Sequence, residues 1–192
     1  APALRALQTS KVDILGLWES QYMLFAAQGA QLRELLDPPA RTIGFQHGTF
    51  TTDEMLARSP RIVAGFGRAT AKGMLWCYYN PEAAIRIHWE LIPTSKPTGL
   101  STEAALDANK KDMVAWLNRM RPRERFESFT EPIAGVRPGE VEEVRDMLLK
   151  AGLIKTALEV GEYFDSSQTG AINEFDKPAI VRHAKAFQYK PR

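Results

Sequence analysis

Residues 11–22 read KVDILGLWESQY, and the interpretation of this stretch decides the fold. Val12, Ile14, Leu15 and Leu17 form a short, mostly apolar run behind the polar Gln8, Thr9, Ser10 and Lys11. Such a run predicts a strand over residues 12–17, buried on both faces as in an α/β sheet. From Glu19 and Ser20 onward the spacing turns helical, with Tyr22, Met23, Phe25 and Ala26 at helix intervals. A strand running directly into a helix presents its last residues at the carboxyl edge of the sheet, where open α/β sheets bind ligands. Trp18, Glu19 and Ser20 are therefore candidate ligand-binding residues: the indole can stack and the carboxylate can accept hydrogen bonds. A plainer account also fits, with Trp18 as a core residue and Glu19 complementing a helix dipole.

Working outward, residues 2–10 predict a short helix carrying Ala3, Leu4 and Leu7, and residues 31–36 a second short strand. Asp37-Pro38-Pro39 ends that strand, because proline donates nothing to a ladder and pushes its predecessor toward extended geometry. It marks the expected lobe boundary. Residues 41–47, RTIGFQH, are a further extended candidate, in which Gly44 permits close backbone approach.

Beyond residue 51 the expectation is helix and loop throughout. Thr51-Thr52-Asp53-Glu54 fits a capping box, and Ser59-Pro60 and Asn80-Pro81 each place a cap before a proline at the first helical position. The helix from Pro60 to about Tyr79 lines up Ile62, Phe66, Ala69, Gly73 and Trp76 on one face. The next should bury Ala84, Ile85, His88, Trp89 and Ile92. Ser101 caps a long helix with Leu106, Met113, Trp116 and Leu117, and the basic residues 119–125 open a solvated connector. Residues 138–151 form an amphipathic helix with Val141, Val144 and Leu148 inward and Gly152 as its stop. Asp176 caps a final helix with Ile180, Ala184 and Phe187.

Composition removes several function classes. With 192 residues, 44% of them hydrophobic, the chain is globular rather than disordered. A net charge of +2 with both signs interleaved describes a solvated surface, not a nucleic-acid stripe. The single cysteine, Cys77, excludes an internal disulfide framework and any thiolate-cluster metal site. No run reaches membrane-spanning length, and no signal-peptide core precedes residue 12. Since the sequence opens in a helix-like segment with no strand before it, residue 1 is expected to lie within a longer natural chain. No metalloprotease, P-loop, CxxC or nucleophile-elbow motif occurs, and His47, His88 and His183 fall on separate elements. Gly65-Phe66-Gly67 lies inside a helical pattern, which makes it a packing feature. No catalysis, cofactor or metal is expected.

The ordered motifs carry a resemblance. KVDILGLWESQ, then residues 51–93 with "DE-x-L-x-x-x-P" and "NPE-x-A", is similar to the C-terminal part of the periplasmic solute-binding proteins of ABC importers. The branch is the one that includes nitrate, alkanesulfonate, taurine and thiamine-pyrimidine-precursor binders. Gly152-Leu153-Ile154, Glu162-Tyr163-Phe164 and Asn173-Glu174-Phe175-Asp176 resemble its closing segments. The resemblance implies an α/β chain, predominantly helical here, forming the C-terminal portion of a two-lobe type II periplasmic-binding-protein fold. Residues 1–36 would be the tail of lobe two, residues 37–50 a crossover bringing Gly44, Phe45 and Gln46 near the cleft, and residues 51–192 the helical remainder of lobe one. It implies a periplasmic protein whose partners are a small solute and an inner-membrane ABC permease, with no nucleic acid. Fungal pyrimidine synthases of thiamine biosynthesis resemble the same binders, but carry a cysteine-rich stretch where this chain reads Arg41-Thr42-Ile43-Gly44-Phe45. That departure favours binding over the alternative, an enzyme on the same scaffold. Because Glu19 is an acceptor that repels anions and Trp18 offers a stacking face, an amine- or aminopyrimidine-like solute is expected over sulfonate, taurine or nitrate.

Overall fold

The computed structural model describes residues 2–17, 21–22, 25–26, 29–33, 35, 48–118, 120, 123–137 and 139–191. Among these the chain is predominantly helical, and none lies in a β-strand. The strand expected over residues 12–17 is absent: the segment is coil, with Ile14 67% exposed. The physical reason is that a strand exists only through its ladder partners, and the described residues supply none. Residues 31–33 and 35 are likewise coil rather than strand, whereas 41–47 lie outside the described residues. Gln21, Tyr22, Phe25 and Ala26 are helical, as the spacing after Glu19 predicts, and Phe25 is buried.

The chain divides into two compact units. One comprises Ala1–Leu35, Asn80–Arg119 and Phe187–Arg192. Besides the helical residues around Gln21 and Phe25, it holds the helices Pro2–Gln8, Pro81–Leu91 and Thr102–Asn118. Asn80 starts the second of them as expected: its Oδ1 accepts from the Ala83 N–H at 3.2 Å, and its Nδ2 donates to the Phe187 carbonyl at 3.0 Å. Ser101 caps the third by accepting from the Ala104 N–H at 3.1 Å. Between these helices Ile85, Trp89, Ala105 and Leu106 form a core, with Leu100 and Met113 packed against it. Of the predicted stripe on Pro81–Leu91, Ile85 and Trp89 are buried, joined by Ala83, while Ala84 is half-buried and His88 and Ile92 are exposed. The Trp89 indole N–H is satisfied by Asn109 Oδ1 at 3.1 Å, and the Lys96 ammonium lies 5.3 Å from its ring centre.

The other unit comprises Leu36–Tyr79 and Met120–Ala186. At its centre runs the Pro60–Tyr79 helix, whose bounds match the Ser59-Pro60 start. Asp53–Arg58, Thr169–Asn173 and Lys177–Ala186 pack against it. Thr52 caps the first of these by accepting from the Met55 N–H at 3.1 Å. The cap falls one residue later than the Thr51-x-x-Glu54 box places it, so Met55 rather than Glu54 occupies the third helical position and no reciprocal bond can form; Glu54 pairs with Arg58 at 2.7 Å. Asp176 caps Lys177–Ala186 through the Ala179 N–H at 2.9 Å, and Glu140–Lys150 stops at Gly152 with φ +70°.

The long helix buries a different face from the one its large residues suggest. Ala64, Ala71 and Leu75 point inward, while Ile62 and Phe66 are each 62% exposed. Close approach of the C-terminal helices selects the small residues. At Gly67 an added Cβ would stand 2.7 Å from Ile172 Cδ1 and 2.8 Å from its Cγ1, whereas at Gly73 it would meet nothing within 4 Å. Gly67→Ala is therefore expected to destabilise by about 1 kcal/mol, an overpacking cost of ~1–3 kcal/mol partly offset by alanine's helix propensity. Gly73→Ala should stabilise by about 0.5–1 kcal/mol. Urea midpoints of the two variants check the packing, and shifts of equal sign would reject it.

Candidate functional site

The residues that the sequence nominates for ligand binding, Trp18, Glu19, Ser20, Gly44, Phe45 and Gln46, lie outside the described residues. Their described neighbours are Leu17, half-buried at the end of the coil, and Gln21 and Tyr22, which begin the helix. No group of His, Cys, Asp and Glu that could hold a metal ion occurs among the described residues. His88 sits on the Pro81–Leu91 helix and His183 on Lys177–Ala186, as the scattered spacing predicts. No helix among the described residues is long and apolar enough to cross a membrane.

Three side-chain constellations stand out in the Leu36–Tyr79 and Met120–Ala186 unit. At the C-terminal end of its long helix, the Tyr78 hydroxyl donates to Glu127 and the Tyr79 hydroxyl donates to the Phe126 carbonyl at 2.9 Å. Burial, with the Glu127 hydrogen bond and charge behind it, pushes the Tyr78 phenol up to about 12, against a smaller opposing pull from Arg123. Tyr78 is thus a proton donor throughout the neutral range, not a base. Just before them the Trp76 indole donates to His183 Nδ1 at 2.9 Å, and burial raises the Cys77 thiol above its ordinary value. A raised thiol is a poor nucleophile.

The second constellation lies where the basic stretch 119–125 predicts a solvated connector. Arg123 is solvated, but Arg125 is only 8% exposed. Its Nη1 donates to the Gly135 carbonyl at 2.6 Å, and its Nε faces Glu131 Oε2 at 3.5 Å. Glu131 also binds Arg137, whose backbone N–H donates to Glu140 Oε2 at 2.7 Å. Sequence spacing carries no signal for this burial, because the pairing depends on the loop folding back onto a five-residue π-helical turn, Arg123–Glu127.

The third is an open cleft of about 370 Å³ beside the first turns of the long helix, lined by Pro60, Arg61, Ala64, Arg68, Gln168 and Ala171. The Arg68 Nε donates to the Ala171 carbonyl at 2.9 Å, which pins the guanidinium at the rim. The seven-residue interval between Arg61 and Arg68 is a helix-face signal that could have been read from sequence. Chemically, the first constellation holds protons and aromatic rings in fixed positions, the second supports the loop, and the third offers positive charge beside an accessible hollow. No protein-family model, curated protein or solved structure matches the chain.

Proposed function

We propose that this chain is the C-terminal portion of a two-lobe solute-binding protein, which captures a small organic solute and hands it to an ABC permease in the inner membrane. In this reading it acts in the periplasm, binds rather than transforms its ligand, and needs no cofactor. Residues 1–36 belong to the second lobe, residues 37–50 to the crossover, and residues 51–192 to the first. The observation that carries the reading is the ordered run of motifs from KVDILGLWESQ through DEMLARSP and NPEAA to NEFD. Supporting it, helices begin at Asp53, Pro60, Pro81 and Lys177, where those motifs put their caps and prolines.

The solute follows from Trp18 and Glu19. An ionised carboxylate beside a sulfonate or nitrate pays desolvation with no attraction in return. Facing N–H donors, it gains charge-assisted hydrogen bonds of ~1.5–3 kcal/mol each. The indole adds roughly 0.5–1.5 kcal/mol by stacking on a heteroaromatic ring. An amine- or aminopyrimidine-like solute is therefore favoured. Calorimetry with an aminopyrimidine, taurine, an alkanesulfonate and nitrate tests this. The aminopyrimidine should bind most tightly and lose about tenfold or more in affinity on Glu19→Gln, equivalent to ~1.4 kcal/mol. Tight sulfonate or nitrate binding that Glu19→Gln leaves unchanged would sink the proposal.

A further inference from the structure

Charge compensation is uneven across the unit built on the Pro60–Tyr79 helix. Arg58, Arg123, Arg125, Arg137, Arg145 and Arg182 each pair with a carboxylate. Among the described residues Arg61, Arg68, Lys72 and Lys177 pair with none, nor do Lys150, Lys155 and Lys185, but only the first four gather around the cleft and the Phe175 ring. These four are neighbours in the fold. Arg61 and Arg68 line the open cleft, Lys72 follows one turn further along the helix, and Lys177 shares the Phe175 ring with Lys72. The two ammoniums lie 5.6 and 5.2 Å from that ring centre, and Lys177 also donates to the Asn173 carbonyl at 3.1 Å. Aromatic and carbonyl contacts hold these cations without neutralising them, so the positive potential along this edge stays available to an incoming anion.

The spacing narrows the kind of anion. Arg61 and Arg68 are seven residues apart on one helix face, about 10.5 Å along the axis. Arg68 has its Nε committed to Ala171, which pre-orients the guanidinium and leaves its terminal amines for a carboxylate. The cleft is an open trough, not an enclosed chamber that would surround a small ligand on most sides. In a polyproline II segment, positions i and i+3 fall on the same side about 9 Å apart, which matches the arginine spacing. We propose that the Arg61–Arg68 cleft is a docking site for an extended acidic segment of a protein partner, with acidic residues at every third position. The site lies apart from Trp18 and Glu19 in sequence and does not depend on the solute reading.

Fluorescence anisotropy with the 192-residue chain and a labelled peptide of Pro-Pro-Glu triplets tests this. Saturable binding should appear at low salt, weaken steeply as the Debye length shortens, and vanish for the Pro-Pro-Gln counterpart. Arg68→Gln and Arg61→Gln should each weaken it about tenfold. Arg61 is exposed, so its variant keeps the test intact even if Arg68→Gln disturbs folding. Binding that both variants retain, equal binding of the glutamine peptide, or no binding at low salt would overturn the proposal. Inorganic phosphate occupying the same arginines more tightly than the peptide would also overturn it, in favour of a small-anion site.

Discussion

Arg125→Ala is expected to destabilise the protein by about 3–5 kcal/mol, the range for breaking a buried ion pair by removing one partner. The magnitude comes from what is left behind. Arg125 is 8% exposed and lies next in sequence to Phe126, which is fully buried. Without the guanidinium, the Gly135 carbonyl loses its 2.6 Å donor and Glu131 loses one of its two cationic partners. Arg125 Nε and Glu131 Oε2 are buried and have no hydrogen-bond partner, so their 3.5 Å contact is purely coulombic. The pair is therefore poor in net stability yet costly to break. It follows that Arg125→Met combined with Glu131→Leu should recover the part of the loss that comes from the uncompensated Glu131 charge and the cavity, while the Gly135 carbonyl stays without its donor, since well-packed apolar replacements of buried pairs are often neutral or better. Arg137 sits at the rim with its side chain 40% exposed, where water can solvate it after Glu131 is removed. Urea unfolding of the single and double variants measures both quantities. A loss below about 1 kcal/mol for Arg125→Ala would mean that the guanidinium is solvated rather than built into the core.

The same contrast between local and long-range determinants explains what could be read from the sequence. Helix starts were legible at Asn80, Ser101 and Asp176, and to within one residue at Thr52, because a cap needs only an oxygen and an N–H two or three residues later. The stop at Gly152 was legible for the same reason, as its φ of +70° suits glycine within one turn of chain. The buried face of Pro60–Tyr79 was not. Ile62, Phe66, Ala69 and Gly73 make a regular stripe, yet Ala64, Ala71 and Leu75 face inward, because helices about a hundred residues later pack closely enough to exclude larger side chains. The strand over residues 12–17 fails for a related reason. β-favouring residues describe a segment able to join a sheet, but membership depends on a partner edge that local spacing cannot specify. Arg125 belongs to this group too: a run of basic residues looks solvated until a loop returns to bury one of them. The nominated ligand residues rest on sequence pattern and resemblance. The constellations around Tyr78 and Arg125 emerged only from tertiary placement, whereas the Arg61–Arg68 spacing was legible as a helix face although its cleft was not.

Asn173→Ala is the second substitution with a large expected effect, and it probes how a closing segment anchors that loop. The Asn173 Oδ1 accepts from the Ile133 N–H at 2.7 Å, and its Nδ2 donates to the Ala134 carbonyl at 3.0 Å and the Thr169 carbonyl at 2.9 Å. One amide thus joins the Thr169–Asn173 helix to a loop forty positions earlier. Ile133 is fully buried, so water cannot replace the missing partner without opening the core. Leaving a buried N–H and a carbonyl unpaired costs ~1–3 kcal/mol each, and the expected loss is about 2–4 kcal/mol. Asn173→Asp separates this account from simple loss of volume. It keeps the acceptor for Ile133 but aims a carboxylate oxygen at the Ala134 and Thr169 carbonyls, so acceptor faces acceptor. At neutral pH it should be destabilised at least as much as the alanine variant despite its near-identical shape. Hydrogen exchange at the Ile133 amide gives the local readout, with protection falling in the alanine variant by about the factor that the global stability loses. An aspartate variant as stable as the parent, with Ile133 still protected, would show that the donor half of the amide contributes nothing and that the loop is held by Phe126 and Ile133 packing alone.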